Sequence, residues 1–230
     1  MKKIIYILLI ALIGITYSCE DSYIDGGLAD PNVNKTTVDF LKEHGKFDTI
    51  MYMMEKADLL DEINRTSNTV VIPTDYSVVR YVEQWKIKVQ KEMNDENYPF
   101  TFDSLMVRFP EFRDSLSMYI LPQSINRVDL EKKSNYSVII ESQLGNEVQM
   151  ALKETLLYTE WLPNNKNHLL HYTWVINGLD PEDTEGMSEE DLDKGNTCQT
   201  SGLITTTGIL HVLEDAHNLF FNEWPATVSN

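Results

Sequence analysis

Cysteine is almost missing from this sequence: its 230 residues hold 2. That excludes a disulfide framework, and it excludes a zinc site built from several thiolates. Basic residues are scarce as well. Lys and Arg number 19 against 36 Asp and Glu, a formal net charge of −17. Affinity for phosphate backbones comes mainly from Lys and Arg, so no nucleic-acid partner is expected. A polybasic hold on anionic lipid is excluded for the same reason. No apolar run reaches the roughly 20 residues that a membrane-spanning helix needs. HExxH, the P-loop and G-x-S-x-G do not occur, and no internal repeat is evident. The histidines are His44, His168, His171, His211 and His217. His168 and His171 stand in a strand-like stretch with Leu169, Leu170, Tyr172 and Trp174, where odd spacing puts them on opposite faces. No metal and no cofactor are expected, and the chain does not read as an enzyme. Apolar residues at 42% and charged residues at 24% are ordinary for a folded globular domain.

What is present begins with an address. Lys2 and Lys3 precede an apolar run from Ile4 to Ile15, the length of a secretory leader's core. Thr16-Tyr17-Ser18-Cys19 follows, and a small residue directly before a Cys here looks like a bacterial lipobox. Residues 1–18 are therefore read as a signal peptide and Cys19 as the lipidated first residue. Each buried acyl CH₂ contributes roughly 0.8 kcal/mol, and more than one chain gives stable anchoring. Glu20-Asp21 directly after Cys19 resembles a signal for export to the outer face of a Gram-negative outer membrane. Residues 19–34, rich in Gly, Asp and Asn, read as a flexible tether. Acylation of Cys19 leaves Cys198 as the other cysteine, expected as a small buried side chain.

The body starts with helices. Thr36 and Thr37 offer cap chemistry and Gly45 a stop. Phe47, Ile50, Met51, Met54 and Ala57 trace one helix face, so Met51, Met53 and Met54 are expected in the core. Asn68 to Ile72 is β-branched and strand-like, stopped by Pro73. Thr74 is expected to cap the next helix, whose stripe is Val78, Val82, Trp85 and Val89. Thr101 or Asp103 is expected to cap a short helix through Phe109, and Pro110 to start another through Leu116. Ser117 to Leu121 reads as a strand. After it the period changes to two. Segments 136–140, 147–152, 156–162, 168–176, 202–205 and 209–213 read as short strands. Helices first and strands afterwards argue for an α+β fold.

At this point the order of motifs resembles the fasciclin domain. Its opening helix pair is similar to Thr37, Val38 and Leu41, then Phe47, Asp48, Thr49, Met54, Ala57 and Leu59. Its strand-and-turn signature resembles Thr69-Val70-Val71-Ile72-Pro73-Thr74-Asp75-Tyr76-Ser77-Val78. Its central motif looks like Met118-Tyr119-Ile120-Leu121-Pro122-Gln123, with Tyr119 where the family has His. Its closing motif is similar to Thr206 through Glu214. The resemblance covers about residues 36–222. It implies a β-sandwich or wedge with helices packed against it, over residues 35–224, with insertions around 140–200 and a tail at 225–230. It also implies an adhesion or interaction module without catalysis. His211 is then expected to be a structural strand residue, since its partner in the central motif is replaced.

The chain is accordingly expected to be a non-catalytic outer-membrane surface lipoprotein. Its resemblance to accessory subunits implies work beside a TonB-dependent transporter and its lid lipoprotein, in uptake of a glycan or peptide. The alternative is an adhesin that binds host or neighbour-cell matrix. The acidic run from Asp180 to Asp193 lacks the alternating pattern of a calcium loop and reads as a solvated insertion. Trp161 and Trp224 stand beside loops and are the candidate ligand or partner contacts.

Overall fold

Capping chemistry sets where the first helices begin, and a computed structural model describes residues 30–110, 112–155, 167–181 and 183–222. Helix α1 (Thr37–Glu43) starts at Thr36, whose hydroxyl accepts the Asp39 N–H. Helix α2 (Asp48–Lys56) has Phe47 at its N-cap, which can cap nothing. A remote side chain does that work instead. The Asp75 carboxylate accepts the N–H groups of Thr49 and Ile50 at 3.0 and 2.9 Å. Unpaired N–H groups and the positive helix end both favour an anion there. After α3 (Leu60–Ile63) and strand β1 (Asn68–Ile72), Asp75 opens the long helix α4 (Asp75–Met93). One acidic residue thus begins its own helix and caps another. Thr74 differs from its expected role: it holds the N-cap position without a capping bond, and its hydroxyl donates to Asp215 Oδ1 at 3.0 Å.

Helix α5 (Phe102–Arg108) starts with a reciprocal capping box between Thr101 and Ser104. Helix α6 (Arg113–Ser117) runs to Ser117, so the strand expected from there shrinks to β2 (Ile120–Leu121). The Ser117 hydroxyl donates back to the Arg113 and Asp114 carbonyls, which keeps that residue helical. Helix α7 (Arg127–Glu131) leads into β3 (Ser137–Glu141), β4 (Glu147–Thr155), β5 (Asn167–Trp174), β6 (Lys194–Ile204) and β7 (Gly208–Leu213). Strand β6 is far longer than the expected 202–205. Its polar start carries little hydrophobic signal, and pairing with β5 rather than propensity makes it a strand.

The strands form one sheet of seven, in the order β2-β1-β7-β6-β5-β4-β3. Among the seven described strands β1 and β7 pair in parallel and the other neighbours are antiparallel; outside the strands, Asn32 makes one isolated parallel bridge to Ile204. Gly208 faces Asn68 at the start of that parallel pair, and a Cβ there would lie 2.2 Å from the Asn68 carbonyl oxygen. Glycine is therefore demanded by close backbone approach. The sheet curls until its two margins meet. The Gln143 N–H, just beyond β3, donates to the Ile120 carbonyl of β2 at 2.9 Å. The Gln143 side chain reaches Glu62 of α3 at 2.6 Å. This is the helix-covered wedge of an α+β domain.

The core lies between helices and sheet. Leu41, Ile50, Met53, Met54 and Ile63 are buried, as are Val78, Trp85 and Val89 of the α4 stripe. Every residue of β1 is buried, as suits a strand with neighbours on both sides and cover on both faces.

Candidate functional site

Two polar assemblies compete for the role of a site. The first is internal. Tyr119 follows α6 and is fully buried. Its hydroxyl oxygen accepts the Phe220 N–H at 2.8 Å and lies 2.9 Å from His217 Nε2. His217 Nδ1 lies 2.8 Å from Asn196 Oδ1, and Asn196 Nδ2 donates to Glu214 at 3.2 Å. One proton arrangement satisfies every group: Tyr119 O–H donates to Nε2, and Nδ1–H donates to Asn196. His217 is therefore neutral, and burial holds its pKa down at about 3. Burial also drives the Tyr119 hydroxyl well above its ordinary value.

Around this network the turn Leu219–Asn222 takes left-handed backbone at Phe220, Phe221 and Asn222, with φ of 55°, 53° and 65°. Such angles are strained for bulky side chains. Aromatic packing holds them: the Phe220 ring is 5.4 Å from Tyr81, and Phe221 is 4.9 Å from His217. His211 is equally enclosed. Its Nδ1 accepts the Gly202 N–H and its Nε2–H donates to the Ile125 carbonyl, both at 3.0 Å. Burial lowers its pKa to about 4. It is the structural strand residue the sequence suggests, and Tyr119 pairs with His217 rather than with it. Cys198 is buried, and desolvation pushes its thiol pKa far up. These groups knit the fold together and present no reactive atom to solvent.

The second assembly faces outward. Strand alternation puts Gln149, Ala151 and Lys153 of β4 on one face of the sheet, with His171 and Thr173 of β5. Gln149 pairs with Thr173 and Thr173 with Gly195, so these three form one rank across the strands. Ala151, His171 and Thr197 form the next rank toward Lys153. The loop between β5 and β6 is the wall. Its ends are clamped by two carboxylates. Asp193 accepts the N–H groups of Ile176 and Asp180 at 2.8 and 2.9 Å, and Asp180 Oδ2 accepts the Asp193 N–H at 2.8 Å. The acidic run is thus a closed loop stapled at its roots.

Between wall and sheet lies an open cleft of about 380 Å³, lined by Gln149, Lys153, His171, Thr173, Asp180 and Asp193, with Leu179 and Gly195. Two of its atoms are buried and have no partner among the described residues: Thr173 Oγ1 and Asp180 Oδ1. Thr173 is only 6% exposed. A Cβ on Gly195 would sit 2.6 Å from that hydroxyl, so the glycine keeps the floor open. His171 is half-buried, and burial and Lys153 lower its pKa, in that order. It offers a neutral donor and acceptor at pH 7. Among the described residues, no group of three or more His, Cys, Asp or Glu is placed to hold a metal ion. No helix there is long and apolar enough to cross a membrane.

Cys19, Trp161 and Trp224 lie outside the described residues. His168 and His171 are on opposite faces of β5 as expected; His168 stacks on Tyr136 with ring centres 5.4 Å apart. The cleft residues were missed from sequence. The signal that could have found them is the odd-position polar set Gln149, Lys153, His171 and Thr173.

No family model matches the chain. No curated protein matches it either. Among solved structures it is similar to a FAS1 domain pair from the insect cell adhesion molecule fasciclin I. The TM-score is 0.44 at 10% sequence identity, over 75% of this chain and 44% of that one. The present chain therefore spans less than half the length of that structure.

Proposed function

We propose that this chain is a non-catalytic binding module, fasciclin-like in build, carried at the outer surface of an outer membrane by acylated Cys19. Residues 19–34 lift the domain from the membrane. The observation that carries the binding role is the cleft on β4 to β6, where Thr173 Oγ1 and Asp180 Oδ1 are fixed with no partner among the described residues. A buried polar group without a bond is costly, on the order of 1–3 kcal/mol, and a ligand that completes it recovers that cost. Binding is favoured over turnover because Tyr119, Cys198, His211 and His217 are enclosed in the core. The captured ligand, a glycan or a peptide, passes to a TonB-dependent transporter and its lid lipoprotein, with Trp161 and Trp224 as contacts. That partnership rests on the sequence resemblance alone.

The test is a pull-down through a C-terminal tag from native membranes in mild detergent. Fixed-stoichiometry recovery of a transporter, lost with Cys19→Ser, supports the reading. Recovery of this chain alone overturns the uptake partnership and turns attention to matrix proteins.

A further inference from the structure

The lining of the cleft says what kind of molecule fits it, an inference that rests on the binding role above. The sheet register separates its charges. Lys153 pairs with Leu169 at one end, and Trp174 pairs with Lys194, next to Asp193, at the other. Gln149 to Lys153 is four residues of strand, about 13 Å at the usual rise. Among the described residues Lys153 makes no ion pair and is the sole Lys or Arg that lines the cleft. At the far end both Asp193 oxygens are spent on the loop clamp, so Asp180 Oδ1 is the one carboxylate oxygen left to accept.

A simple anion would meet the Asp pair, and a simple cation would meet Lys153. A neutral sugar would leave both charges unanswered. A ligand with a cation at one end and an anion at the other answers both. An extended peptide spans roughly 3.3–3.6 Å per residue, so about three or four residues bridge the distance. We propose that the cleft holds a short peptide with free termini, its ammonium on Asp180 Oδ1 and Thr173 Oγ1 and its carboxylate on Lys153. Gln149 and neutral His171 between them serve the peptide groups, which need both donors and acceptors. Leu179 covers one apolar side chain.

The test is titration calorimetry of the full chain in a non-glycosidic detergent. The probes are trialanine, N-acetyl-trialanine, trialanine amide and maltotriose. Trialanine is expected to bind at one site. Acetylation and amidation are each expected to weaken it about tenfold, the scale of one charge-assisted hydrogen bond. The Lys153→Met variant is expected to bind the acid and the amide equally, and Asp180→Asn to lose discrimination against acetylation. Lys153 is exposed, so Lys153→Met leaves the fold intact, which near-UV circular dichroism checks. Maltotriose binding that Thr173→Val weakens, with trialanine silent, would overturn the peptide and leave the cleft as a site. Trialanine binding unchanged by Thr173→Val, Lys153→Met and Asp180→Asn would overturn the cleft itself. Silence from every probe overturns the peptide assignment.

Discussion

Acid should unfold this protein earlier than its many carboxylates alone would suggest, because of His211 and His217. Both are enclosed and neutral, with pKa values lowered from 6.5 to about 4 and about 3. In the unfolded chain each is free to take a proton near pH 6.5. The unfolded state therefore binds more protons below that pH, and stability rises with pH across the window. It is fully present above about pH 6.5 and is lost as pH falls toward the folded values. Each histidine contributes roughly 1.4 kcal/mol per pH unit inside the window, or about 2 kcal/mol between pH 7.5 and 5. Together they remove about 4 kcal/mol, a large share of the 5–15 kcal/mol typical of a domain. Most carboxylates titrate below that range, so the window isolates the imidazoles. The assay is urea unfolding at pH 7.5, 6.5, 5.5 and 5.0. His217→Phe lowers stability at every pH but should also remove about 2 kcal/mol of the change between pH 7.5 and 5, a signature that loss of packing alone does not produce. A wild-type change under about 1 kcal/mol would refute the assignment of both rings as neutral in the fold.

Other outcomes follow from single contacts. Asp75→Ala frees two N–H groups of α2 and should cost about 1–3 kcal/mol in urea unfolding, with Asp75→Asn recovering part. Tyr119→Phe strips the Phe220 N–H and His217 Nε2 of their partner, and a loss of about 1–3 kcal/mol is expected by the same measurement. Thr173→Val removes an unpartnered buried hydroxyl, so without ligand it should leave stability unchanged or raised by up to about 1 kcal/mol. Cys198 should react with a disulfide reagent at pH 8 only in denaturant, since burial withholds both access and thiolate.

The helical half was legible because its signals are local. Phe47, Ile50, Met51 and Met54 fall on one face and are buried, and Thr36 caps as its chemistry suggests. Strand β6 was not legible. Lys194 to Thr197 shows no apolar alternation, and its register with β7 shifts between Cys198 and Thr200 and again before Leu203, which breaks the period of two. Thr74 was misread because its hydroxyl answers Asp215, a residue whose nearness no local pattern shows. The cleft was hidden for the same reason. Its wall exists because Asp180 and Asp193 bond across the loop, and its floor because Gly195 lies beside Thr173 in the neighbouring strand.

The parallel pairing of β1 with β7 also sets the order of events when the chain is made. Asn68 pairs with Gly208, so the two halves of the contact are 140 residues apart in the chain. A nascent chain emerges from its amino end, and β1 then waits with every residue apolar or β-branched save Asn68. Its parallel neighbour arrives only when nearly all the domain has emerged. Contacts this distant in sequence form slowly, because loop closure must precede the gain. Until then the Val70-Val71-Ile72 stretch is open to strand pairing with other chains. A holding chaperone that masks this stretch during synthesis should raise the yield of folded protein. A chain cut before Gly208 should aggregate rather than form a smaller domain.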